Sequence, residues 1–123
     1  MKLGFVSAIL AELSLEEVLS FAAAEGFTTV EVMCWPVGRA ERKYAGVTHI
    51  DAGTLTPSRA DAIQEACTRH GVSISGLGYY PNMLDPDPAV SAAAIDHFGR
   101  VIVAAAMLGL GTVNGFVGRD WRR

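Results

Sequence analysis

The chain has 123 residues, half of them hydrophobic and 19% charged, with a formal net charge of −3. That composition is globular rather than disordered, and its length suits one domain, residues 1–123, with a modest core. The acidic balance argues against general nucleic-acid binding, because the basic residues are scattered apart from Arg39, Arg42 and Lys43 and the terminal Arg119, Arg122 and Arg123.

Lys2 and the apolar run from Leu3 to Ala11 have the outline of a short signal peptide. One lysine is a poor basic region, however, and a helix-cap signal follows Glu12 at once, so residues 2–7 (KLGFVS) read as a buried strand. Ser14, with Glu17 three positions on, forms a capping box. Leu15, Val18, Leu19 and Ala22 then make the inner stripe of a helix that Gly26 stops. Residues 28–33 (TTVEVM) are a second strand, rich in β-branched side chains.

A long polar connection over roughly 34–56 follows. Thr56 caps the next helix, with Pro57 at its favoured first position. Ala60, Ile63, Cys67 and His70 share one face, Glu65 and Arg69 are spaced to pair outside, and Gly71 ends the helix. Residues 72–77 (VSISGL) are a third strand. Asp87-Pro88 opens a third helix with the stripe Val90, Ala94, Phe98, Val101, Ile102, Ala105 and Leu108, and residues 112–117 (TVNGFV) are a fourth strand. No apolar stretch free of polar interruptions reaches the roughly 18 residues of a membrane span.

The helix–glycine–strand junctions EGFTTVEV, RHGVSISG and LGLGTVNG recur about every 40 residues. Such alternation implies right-handed crossovers and a parallel sheet, and the near-continuous apolar strands agree. An eight-stranded barrel takes about 250 residues, so four strands and three helices amount to a half-barrel that stops at GRDWRR before any fourth helix. The expected class is therefore α/β, a partial (β/α)8 TIM barrel of about four parallel strands. A small open doubly wound sheet remains as the other fold and would show a strand order of 2-1-3-4.

Four segments taken in order resemble the xylose isomerase-like barrel superfamily of sugar phosphate isomerases and epimerases: KLGFVS, GFTTVEVMCW, HGVSISGLGYYPNMLDPDP and GTVNGFVGRD. The resemblance covers essentially the whole chain. It implies divalent-metal-assisted chemistry (Mn, Mg, Zn or Co) on a sugar or polyol, with ligands on strands of the second half of the barrel. No metal ligand carries over to this chain. The apurinic endonuclease branch, with histidines after strands three and four, is disfavoured by Gly78-Tyr79-Tyr80 and Asn114-Gly115-Phe116.

In such a barrel the active face is built by loops after the strands' C-terminal ends. That singles out Trp35, Tyr79, Tyr80, Asn82, Asn114, Arg119 and Asp120. Trp35 and Tyr79 read either as walls that stack on a sugar or as plain packing, and Asn82 and Asn114 as hydroxyl binders or as turn and strand-end hydrogen-bonders. His49, two residues from Asp51, reads as a substrate-hydroxyl binder or general acid, or as half of a solvated loop pair. The candidate substrate-binding set is Trp35, His49, Tyr79, Asn82 and Asn114; the catalytic groups are unassigned.

His70 and His97 read as structural, the latter on the polar side of its helix, and Cys67 as inert on the core stripe. Cys34, at a strand's catalytic end, could be reactive, although no base is near it in sequence. Without CxxC or Cys/His spacing, the two cysteines suit a reducing cytoplasm. The expected function is a fragment of a metal-dependent sugar (phosphate) isomerase or epimerase, inactive alone; the other reading is a stand-alone half-barrel assembly or binding module. Open strand edges predict a homodimer or higher oligomer, with neither nucleic acid nor membrane as a partner.

Overall fold

Among the described residues the three α-helices each begin where a side chain accepts from an unpaired amide of the first turn. The computed structural model describes residues 1–38 and 46–123, which leaves Arg39, Arg42 and Lys43 outside the described residues. Helix α1 (Leu15–Ala24) opens with the capping box: Ser14 Oγ accepts from Glu17 N, and Glu17 Oε1 accepts from Ser14 N. Helix α2 (Pro57–His70) has Thr56 Oγ1 accepting from Arg59 N, with Pro57 in the first turn. Asp87 accepts from Ala89 N at the start of α3 (Pro88–Met107). Gly71, at φ 67°, takes the left-handed turn that stops α2, a conformation in which a Cβ would be strained.

Four parallel strands, β1 (Gly4–Val6), β2 (Thr29–Met33), β3 (Ser73–Gly78) and β4 (Val113–Asn114), lie side by side in the order β1-β2-β3-β4. Sequential order without a reversal is the order of barrel staves and excludes the 2-1-3-4 arrangement. The strands occupy the predicted places but are shorter at both ends of the sheet. After Val6 the chain turns into one 3-10 turn, Ser7–Leu10, and the segment around Thr48 replaces β1 there, forming an antiparallel bridge with Cys34.

The helices pack on the convex face. Val18, Leu19 and Ala22 of α1, Ala60 and Ala66 of α2, and Val101, Ala104 and Ala105 of α3 enclose Val30, Val32 and Leu77 of the strands in one cluster. On α3 the buried stripe is rotated from the expected one. His97 is buried and hydrogen-bonds the Cys34 carbonyl at 2.7 Å, while Val90 and Ile102 are exposed. The ring therefore lies on the core side of the helix, satisfied by a carbonyl from another element. Between α1 and α2, Arg69 pairs with Glu16 at 2.9 Å rather than with Glu65, and His70 Nε2 lies 2.8 Å from the same carboxylate. Among the described residues α3 is the one helix long and apolar enough to cross a membrane by length and composition, with a mean hydropathy of 1.4. In this fold it is a crossover helix that carries Asp96 and Arg100 as an i,i+4 pair.

Side-chain direction on β3 is set by one irregularity. Val30 is opposite Ile74 but Glu31 is opposite Gly76, so Ser75 is an extra residue. A bulge of one residue exchanges the two faces for everything beyond it. Ile74 and Leu77 both join the convex core, and Gly76, Gly78 and Tyr80 turn to the concave face.

Candidate functional site at the concave face

Along β2 the side chains alternate: Val30 and Val32 enter the helix-covered core, which leaves Glu31 and Met33 on the concave face. A half-buried carboxylate there must be matched by donors. Glu31 accepts from the Tyr80 hydroxyl at 2.7 Å and from the Asn114 side-chain amide. Strands β2 and β4 and the loop that leaves β3 thus meet in one polar cluster. Gly78 makes room for it: a Cβ there would collide with the Met33 methyl and stand 3.1 Å from Glu31 Oε2. Burial pushes the Tyr80 phenol well above its ordinary range, and the hydrogen bond to Glu31 and that group's charge raise it further. Tyr80 is thus a neutral hydrogen-bond donor across the physiological range.

Next to this cluster, the loops after β3 and β4 frame an open cleft of about 760 Å³. Its apolar walls are Tyr80, Phe116 and Trp121, and its polar ones include Asn82, Asp85 and Arg119. Tyr80 and Phe116 rings lie 4.9 Å apart, and Phe116 and Trp121 are each more than half exposed. Exposed rings beside amide, carboxylate and guanidinium groups can stack on the C–H face of a polyol while hydrogen-bonding its hydroxyls.

The five residues singled out from sequence fall in different places. Asn114 is in the carboxylate cluster. Asn82 lines the cleft and ties its two loops together, donating to the Arg119 carbonyl and accepting from Arg119 N, both at 2.8 Å. Tyr79 lies on the convex side, buried edge-on against Trp35 and His97. Trp35 bridges that core and a small concave cluster of Ala8, Met33 and Val47. His49 is half-buried with both ring nitrogens engaged, Nδ1 with Ser7 Oγ at 2.8 Å and Nε2 with the Leu10 carbonyl at 3.0 Å. Ser7 in turn accepts from Met33 N, so this triad pins the loop to the start of the 3-10 turn. Asp51 points elsewhere, closing a turn onto Gly53 N and Thr54 Oγ1. Cys34 is fully buried and its thiol is pushed up to about 12, chiefly by burial and then by the charge of Asp51, which makes it unreactive at neutral pH.

Glu31, Phe116 and Trp121 escaped the sequence reading. The signal for Glu31 was present as the one charge inside TTVEVM. Among the described residues no three His, Cys, Asp or Glu side chains are grouped to hold a metal. Glu31, the one concave carboxylate in the cluster, already spends an oxygen on each of two protein donors. These residues therefore do not fit the divalent ion expected from the resemblance.

Comparison with known proteins agrees with the barrel topology. A D-psicose 3-epimerase crystallised in the presence of D-fructose superposes with a TM-score of 0.65 at 20% identity, over 98% of this chain and 39% of the other. A D-psicose 3-epimerase with D-tagatose, from Clostridium cellulolyticum H10, gives 0.62 at 15% identity, over 94% and 37%. The probable 3-DHS dehydratase AsbF of petrobactin synthesis, from Bacillus anthracis, gives 0.59 at 14% identity, over 96% and 39%. At these identities the likeness is one of fold, and the chain spans about two-fifths of the length of each structure. No curated protein matches the chain. The model of the xylose isomerase-like TIM barrel family matches residues 19–123, and with four consecutive parallel staves under one layer of helices, the chain belongs to that family.

Proposed function

We propose that the chain supplies the first four staves and part of the substrate wall of an isomerase or epimerase acting on a sugar or polyol, and that it does not turn over alone. The observation that carries this is the Glu31–Tyr80–Asn114 cluster, which opens beside a cleft walled by Phe116 and Trp121 at the C-terminal ends of the strands. The rings offer stacking surface and the amides and carboxylate offer hydroxyl partners, a combination suited to an uncharged ketose. Arg119 at the rim would also accept a phosphate on such a sugar. The relatives with D-fructose and D-tagatose supply the ketohexose class as the first to test. The divalent ion of the family would be held by side chains outside these four strands. The two free cysteines, one of them fully buried, suit a reducing cytoplasm.

Saturation-transfer NMR with D-fructose and D-tagatose tests this reading on the chain as it stands. Weak saturable binding, with Kd in the range of about 1–50 mM, is expected. It should fall at least fivefold in Trp121→Ala, with no interconversion of the sugars. Absence of saturable transfer for both ketoses and their 6-phosphates would refute it.

A further inference from the structure

A single side chain grips both ends of the 3-10 turn Ser7–Leu10. His49 Nδ1 lies 2.8 Å from Ser7 Oγ, on the first residue, and Nε2 lies 3.0 Å from the carbonyl of Leu10, the last. We infer that His49 is a proton-operated staple: neutral, it seats the turn that follows β1, and a second proton on the ring releases it. The inference rests on hydrogen bonding within the fold and not on the sugar chemistry, so its failure leaves the ketose reading standing.

The state of the ring follows from its partners. A carbonyl only accepts, so the bond to Leu10 requires a proton on Nε2. Ser7 Oγ is fully buried and already accepts from Met33 N at 2.9 Å. Among the described residues the only other partner of that hydroxyl is His49 Nδ1, so its proton points there and Nδ1 is bare. A second proton on the ring turns that bond around. The hydroxyl proton is then buried without an acceptor, and a half-buried ring carries a charge.

The turn is an element that such a loss can move. Its 4 residues of 3-10 helix bond weakly among themselves, and no side chain caps it at Val6. The segment that carries His49 is held apart from the ring, because Trp35 N donates to the Val47 carbonyl and His49 N to the Met33 carbonyl. Release therefore frees the turn, at the C-terminal end of β1, on the side where barrel loops build a site. Among the described residues no charged group bonds the imidazole. Glu31 on β2 is held by Tyr80 and Asn114, Asp51 by Gly53 N and Thr54 Oγ1, and Arg100 of α3 by Asp96. His97 of α3 bonds the Cys34 carbonyl, the Cys34 thiol stays protonated, and Glu12 beyond the turn is exposed.

Residue-resolved amide exchange at about pH 7.5 and about pH 5, corrected for the intrinsic rate, tests the staple. At the lower pH the Met33 amide, bonded to Ser7, and the Leu13 amide, bonded to the Leu10 carbonyl, should lose at least about tenfold in protection. The amides of Leu77 and Val101 in the core should keep theirs. His49→Gln, whose side chain does not titrate, should give one Met33 protection at both pH values, and Ser7→Ala the low one at both. His70→Gln, on the outer surface, should respond as wild type. At the higher pH the ring 15N shifts of wild-type His49 should show the proton on Nε2, a measurement that needs no variant. Unchanged Met33 protection in wild type, a pH response that survives in His49→Gln, or a ring proton on Nδ1 each overturn the inference. So does an equal loss at Leu77 and Val101, which would mean that acid loosens the whole fold.

Discussion

The two faces of β2 are made from neighbouring residues and do opposite work. Val30 and Val32 are fully buried in the apolar cluster that the strands form with α1, α2 and α3. Glu31, between them, stands on the concave side and is held by a phenol from the loop after β3 and an amide from β4. Burial on the convex face scales with apolar area and is indifferent to charge elsewhere. On the concave face each group is worth only as much as its partner's geometry allows. Stability therefore concentrates outside the sheet and chemistry inside it, and substitutions on the two sides should fail in different ways.

The largest effect belongs to the convex core. Leu77 is fully buried there, so Leu77→Ala should cost about 2–5 kcal/mol in transfer and cavity terms, a large share of the stability of a domain this size. Urea unfolding measures it, and ketose binding per folded molecule should be unchanged. A loss below about 1 kcal/mol would show that the helix layer does not hold the sheet as described.

A smaller cost, about 1–3 kcal/mol, is expected for Glu31→Gln, because one of two partners is left facing a donor in place of an acceptor. Its distinctive outcome is spectroscopic. Burial is the first cause of the raised Tyr80 phenol, and the bond to Glu31 and its charge are the next two. Tyrosine absorbance titration should therefore show that phenol moving down, yet remaining above the ordinary 10.0. Ketose binding should weaken in the same variant. If the titration stays where it is, the carboxylate is not bonded to Tyr80 in solution.

Why the convex face could be read and the concave one only in part follows from where the information sits. Caps are local: Ser14 with Glu17, Thr56 with Pro57, and Asp87 with Pro88 announce helix starts within four residues, and all three are observed. The face of β3 is not local. The bulge at Ser75 exchanges the two sides midway, and Gly76 and Gly78 carry no side chain to reveal it. Continuing the alternation from Ile74 puts Tyr79 inside and Tyr80 outside, and the structure has the reverse. His97 and Arg69 were misplaced for a related reason: their partners, Cys34 and Glu16, are 63 and 53 residues away. The role of Glu31 depends on Asn114, 83 residues on, which pattern within a single strand does not show.

Alkaline pH separates the faces further through Cys34. Its thiol rises from an ordinary 9.0 to about 12 in the fold, chiefly by burial. Above pH 9 the unfolded chain gives up this proton and the native one keeps it, so stability falls as pH rises from 9 towards 12. At pH 10.5 the loss from this group is about 2 kcal/mol. Cys34→Ala should be the less stable protein at pH 8, by about 1 kcal/mol for the lost sulfur packing, and should overtake wild type by pH 10.5. The raised phenols of Tyr79 and Tyr80 add an alkaline slope common to both proteins, which the comparison cancels. Parallel urea midpoints from pH 8 to 10.5 would mean that the sulfur is reached by water.

The smallest effect should come from the charge cluster between α1 and α2 on the outer surface. Glu16 is held below its ordinary 4.5 by the hydrogen bond from His70 and then by that from Arg69, but it lies in open solvent. A lowered carboxyl contributes above its unfolded value and loses that contribution as pH falls through the folded one, so whatever Glu16 supplies is lost as pH falls from 4.5 through that lowered value. Screening removes it too, because exposed pairs weaken within a Debye length of about 10 Å at 0.1 M salt. Glu16→Gln should therefore match wild type in urea midpoint at about 0.5 M salt and at acid pH, with any difference confined to low salt near neutrality. Glu31→Gln should keep its full cost in the same high salt, because its partners are protein groups at the half-buried concave face and ions do not stand between them. Equal salt sensitivity in the two variants would mean that the concave carboxylate is as wet as the surface one, and the distinction between the faces would fail at the residue on which the site depends.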